Sequence, residues 1–179
     1  MLCVATGVVL MGLRPDVLRG TTTLQFALNC VAILLIAVLS AFAAFMMSVP
    51  DTAQSVLVRI APLSAVFIWL VLLAIQGRLV FAPGPHRYSP GHGLGCLRDI
   101  LVLGAIPGAF LFFLVRRAAP VALGWGGLLV MLTLASIGAL GLQFTCTNDD
   151  PLHLFAWHFL PVLLVAVSGV VLGRRLLRW

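Results

Sequence analysis

Five stretches of this chain run for about twenty residues with almost no charged side chain. Residues 24–49, 120–144 and 151–172 carry none, residues 56–75 carry only Arg59, and residues 97–115 carry Arg98 and Asp99 near their start. A helix that spans hydrocarbon needs about 20 apolar residues. Only helices or closed barrels satisfy their backbone polar groups in lipid. The runs show no alternation of apolar and polar residues, so helices are the reading. Composition agrees: 62% of the 179 residues are hydrophobic, 9% are charged, and mean hydropathy is +1.17. Soluble domains carry about a quarter charged residues.

The expected fold is therefore all-α: a polytopic membrane helix bundle of six transmembrane helices, the first one short, forming a single domain over residues 1–179. The first helix covers Met1 to Leu13, too short to span. It is read as the remnant of a helix rather than a signal peptide: no basic stretch precedes it, and Arg14-Pro15-Asp16 follows where a small-residue cleavage site would stand. The longest loop, Gln76 to Cys96, holds His86 and His92, which read as solvated. Pro50 and Pro151 punctuate the chain where helices stop or restart.

All eleven basic residues are arginines and all five acidic ones are aspartates, for a net charge of +6. The arginines cluster at helix ends and form no stripe, so lipid headgroups account for them better than nucleic acid does. Arg116, Arg117, Arg174, Arg175 and Arg178 are separated by two spans and so share a face with one another and with Arg59. That face is expected to be cytoplasmic. Trp157 and Trp179 sit near span ends, as interfacial aromatics do, and the glycines of the fifth helix suit close helix contact.

Cys3 and Cys30 lie inside apolar segments and read as small buried hydrophobes. Cys96 opens one helix and Cys146 follows the end of the next, so a hairpin places both on the face opposite the arginines. There they can form a disulfide, bind a soft metal, react with an oxidant, or stand as unrelated helix-end thiols. His153 and His158 flank Trp157. On a regular helix their i,i+5 spacing separates them, which makes them a poor chelate alone. His158 falls within the bilayer boundary, where a titratable group is a functional candidate or a histidine bonded across helices. Cys96, Cys146, His153 and His158 make a metal set, with Asp149 or Asp150 as further oxygen donors. No nucleophile elbow, phosphate loop or C-x-x-C pair occurs, and no enzyme is expected. A membrane thiol oxidoreductase or metal-handling protein is the alternative class.

Gly12-Leu13-Arg14-Pro15-Asp16, Gly93-Leu94-Gly95-Cys96, and the order Cys146, His153, Trp157-His158, on six spans, together resemble the NrsF family over nearly the whole chain. The resemblance implies a bacterial inner-membrane anti-sigma factor. Such a protein holds an extracytoplasmic-function sigma factor and releases it under oxidative or heavy-metal stress, with a heavy-metal ion as one signal. It implies that Cys96 and Cys146 sense that signal and that Arg14, Pro15 and Asp16 form a structural motif. Family members carry a polar stretch before the first helix, whereas Met1 opens within an apolar run. Either the start codon is misassigned, the chain is truncated, or the sigma factor meets another surface; the cytoplasmic candidates are Arg116 and Arg117, the Pro50 to Ser55 turn and the C-terminal arginines.

Overall fold

The computed structural model describes residues 2–47, 49, 55–80 and 93–178, and among these there is no strand. Seven helices follow one another: α1 (Leu2–Met11), α2 (Pro15–Arg19), α3 (Leu24–Met46), α4 (Val56–Val80), α5 (Gly93–Arg117), α6 (Leu123–Gln143) and α7 (Pro151–Leu176). Five of them, α3 to α7, are long and apolar enough to cross a membrane, which makes this a multi-pass membrane protein. The expected sixth segment is α1, ten residues packed beside α5 and α6. It spans about 15 Å at 1.5 Å per residue, half the hydrocarbon thickness.

Two helix ends differ from the expectation. Helix α4 continues to Val80, beyond the expected Ile75, and α5 begins at Gly93, a turn before the expected Leu97, with Cys96 in its first turn. His86, His92, Asp51, Arg87 and Trp179 lie outside the described residues.

The starts of α3 and α7 are capped by short polar side chains. The Phe26 N–H donates to Thr23 Oγ1 at 3.2 Å, and the Leu152 N–H donates to Asp150 Oδ1 at 2.8 Å. Pro151 follows as the first residue of α7, where its missing N–H is no loss. Gly20 closes α2 at φ 68°, a left-handed conformation that glycine adopts without a Cβ clash.

Helix α6 is the axis of the bundle and packs against α3, α5 and α7. Its small residues explain why. A Cβ on Gly127 would collide with the Gly169 carbonyl and the Gly173 backbone of α7, and one on Gly138 would collide with the Ile100 carbonyl of α5. In lipid, helices associate through such close packing and through interhelical hydrogen bonds rather than through apolar burial. Ser40 of α3 and Thr133 of α6 supply one such bond, with hydroxyl oxygens 2.9 Å apart. The Trp69 indole N–H of α4 donates to Asn29 Oδ1 of α3 at 3.1 Å, and the Asn29 amide donates to Gln76 Oε1 at 3.3 Å. Trp69 is thus a packing residue rather than an interfacial one. Large apolar side chains such as Phe42, Phe67, Phe110 and Leu164 point outward, as a lipid-facing surface requires.

A sulfur and imidazole cluster at the aspartate end of the bundle

Four segments meet where α3, α5 and α7 begin and α6 ends. The turn after α1 contributes Arg14, which is almost fully buried. Its guanidinium donates from Nη1 and Nη2 to the two carboxylate oxygens of Asp149, at 2.9 and 2.6 Å, and from Nε to Asp16 Oδ1 at 2.7 Å. Its backbone N–H donates to the Phe144 carbonyl at 3.0 Å, and its guanidinium also lies over the Phe26 ring. A planar fork matched to a carboxylate is the geometry in which arginine binds most specifically. These bonds hold Arg14 more firmly protonated than usual, first through Asp149 and then through Asp16. The Arg14 hydrogen bond also keeps the Asp16 carboxyl below the ordinary carboxylate range.

The expected Arg14-Pro15-Asp16 motif is thus a clamp: Pro15 starts α2, Asp16 steadies the guanidinium, and Arg14 grips the segment between α6 and α7. Gln25 adds a bond from Nε2 to the Asp149 carbonyl at 3.2 Å.

That gripped segment carries Cys146. Cys96 and Cys146 are thiols, not joined to each other, and His153 stands between them with Nε2 3.6 Å from each Sγ. One ligand atom from each of Cys96, Cys146, His153 and His158 lies within 4.8 Å of every other. His153 and His158 meet edge to face, ring centroids 5.4 Å apart. On a regular helix two residues five apart point about 140° from each other. Here the Phe155–Phe159 segment forms a π-turn, which adds a residue to the turn and brings both rings to one side.

His158 is fully buried. Its Nδ1 is 3.5 Å from the Gln143 amide nitrogen, while its Nε2 makes no hydrogen bond. Cys146 lies just beyond the span, and its thiol is lowered below the ordinary thiol range. The hydrogen bond from Cys96 is the main cause, and the two histidines add to it. Asp149 and Asp150 do not join this group: Asp149 is bound to Arg14 and Asp150 caps α7. Trp157, half-buried near the start of α7, packs on the first residue of α5. Its ring lies against the backbone of Gly93, where any Cβ would enter it.

The whole chain, residues 1–179, matches the family model described as NrsF, negative regulator of sigma F. The protein belongs to the NrsF family. Comparisons with curated proteins and with solved structures find no match. NrsF proteins are regulators rather than enzymes, and their partner is a sigma factor. In this NrsF protein, the arginines expected to face that partner, Arg116 and Arg117, end α5 at the opposite end of the bundle from the sulfurs, and both are exposed.

Some of the site had no local signal. Gln143 is an ordinary polar residue at a helix end, and its place beside His158 depends on how α6 and α7 pack. The Arg14–Asp149 pair joins residues 135 apart.

Proposed function

We propose that this chain holds an extracytoplasmic-function sigma factor at the bacterial inner membrane and releases it when the Cys96 and Cys146 pair is oxidised or takes up a heavy metal. The carrying observation is the convergence of two thiols on one imidazole nitrogen, at equal distance, at the end of the bundle opposite Arg116 and Arg117. Sensor thiols need thiolate character and access. Cys146 has both: a lowered thiol and a half-buried position outside the spans. An oxidant that accepts two electrons would join the two sulfurs as a disulfide, with loss of both thiol protons. That bond would tie the start of α5 to the end of α6, and α5 ends in Arg116 and Arg117.

The orientation in this proposal has the arginine face in the cytoplasm, by the bias of arginine toward that side, and the sulfurs in the periplasm. The test is a sigma-dependent reporter in cells exposed to cadmium or peroxide. Cys96→Ser and Cys146→Ser should each leave the reporter repressed under stress, while the chain still captures its sigma factor in a pull-down. Full induction in both variants would refute the thiol switch.

A further inference from the structure

We propose that Cys96, Cys146, His153 and His158 form a closed, four-coordinate site for one thiophilic divalent ion of the zinc and cadmium type. This deepens the regulatory reading of the same residues by naming the ligand, yet it concerns binding, which is measurable whether or not a sigma factor is released.

Geometry is the first argument. Zinc binds thiolate sulfur at about 2.3 Å and imidazole nitrogen at about 2.0–2.1 Å in a tetrahedron. The sulfur-to-nitrogen edge of that tetrahedron is then about 3.5 Å. Both sulfurs are 3.6 Å from His153 Nε2, and all four donors fit within 4.8 Å. Little movement would close the set around an ion. Two thiolates and two imidazoles are the donor set that selects tetrahedral zinc-like ions over magnesium or calcium.

Charge is the second argument. A divalent ion with two thiolates and two neutral imidazoles is neutral overall, which suits a buried position at the membrane edge, where an uncompensated charge is costly. Each thiol gives up its proton on binding.

The third argument is the state of His158. A fully buried imidazole nitrogen without a hydrogen-bond partner is costly, and a metal ligand is one use for it. Gln143 occupies the other ring nitrogen. With its amide turned so that the oxygen faces Nδ1–H, Gln143 fixes the tautomer that leaves Nε2 for the ion, as outer partners of metal-bound histidines do. The π-turn supplies the fourth argument, since it brings two histidines to one side that a regular helix would separate. Such turns occur often at functional sites.

The experiment uses the full chain, purified in detergent under reducing conditions and titrated with Co²⁺. The expected result is one ion per chain, with the absorption of tetrahedral cobalt and a thiolate-to-cobalt charge-transfer band. Zn²⁺ and Cd²⁺ should displace it and Mg²⁺ should not. Cys96→Ser, Cys146→Ser, His153→Gln and His158→Gln should each weaken binding at least tenfold, while Cys30→Ser binds as the parent does. Absence of the cobalt spectrum, or undiminished binding by both histidine variants, would overturn the four-ligand site. A second measurement avoids variants: Zn²⁺ should shield Cys96 and Cys146 of the parent protein from iodoacetamide, and unshielded thiols would overturn the site as well. The sigma-dependent reporter separates the two readings. Loss of induction without metal binding leaves the thiol switch standing alone. Metal binding without sigma release leaves the site standing and removes the regulatory reading.

Discussion

At the scale of single residues, the aspartate end of the bundle rests on one guanidinium. Arg14 is buried and makes five polar contacts to Asp149, Asp16 and the backbone of Gln143 and Phe144. Removing one partner of a buried pair leaves the other uncompensated, at about 3–5 kcal/mol in closed interiors. Asp149 keeps about a third of its side-chain surface, so a loss of about 2 kcal/mol is expected for Arg14→Lys, which keeps the charge but not the fork. Denaturant unfolding in detergent would measure it, and a double-mutant cycle with Asp149→Asn should return a coupling above about 0.5 kcal/mol. The thiols give a pH prediction. Cys146 is lowered chiefly by the Cys96 hydrogen bond. Its thiolate should therefore persist as pH falls, and alkylation of Cys146 in the metal-free chain should change little between pH 8 and 6. In Cys96→Ala the thiol rises, held down only by the two histidines, and alkylation of Cys146 should fall between pH 8 and 6 where the parent's does not.

At the scale of elements, the seam between α6 and α7 is backbone against backbone at Gly127, Gly169 and Gly173. Gly127→Val has nowhere to place its side chain and should cost about 3 kcal/mol or more, read as a lowered unfolding midpoint in detergent. The five spans were legible because lipid imposes uniform apolar length, and that signal is local. The α7 start was less so. A regular helix would set His153 and His158 apart, and the π-turn brings them to one side. No residue between Phe155 and Phe159 announces an i,i+5 hydrogen bond; the turn packs against α5 and α4, contacts that the local sequence does not display. The Cys96 and Cys146 pairing was legible, since a hairpin of known span length fixes which ends coincide. The contact of Trp157 with Gly93 had no local signal, because Gly93 is marked only by what it lacks.

At the scale of the whole molecule, parity gives a topology that can be tested without reference to any regulator. A fluorescent protein fused after Trp179 should fluoresce in cells. A membrane-impermeant maleimide, applied to cells with a permeabilised outer membrane, should reach Cys146 and not a cysteine placed at Arg116. Charge divides between the two ends. Among the described residues, Arg14, Arg19, Arg78 and Arg98 share the sulfur end with Asp16, Asp99, Asp149 and Asp150, four of each sign, while Arg59, Arg116, Arg117, Arg174, Arg175 and Arg178 stand at the other with no described aspartate. Seen from a Debye length away, about 8 Å at physiological ionic strength, the described charges nearly cancel at one pole and form a cationic plate at the other. An acidic macromolecule would be drawn to that plate at a rate that falls as salt rises. Small ions and oxidants would meet no such field on their way to the sulfurs and would arrive by diffusion alone.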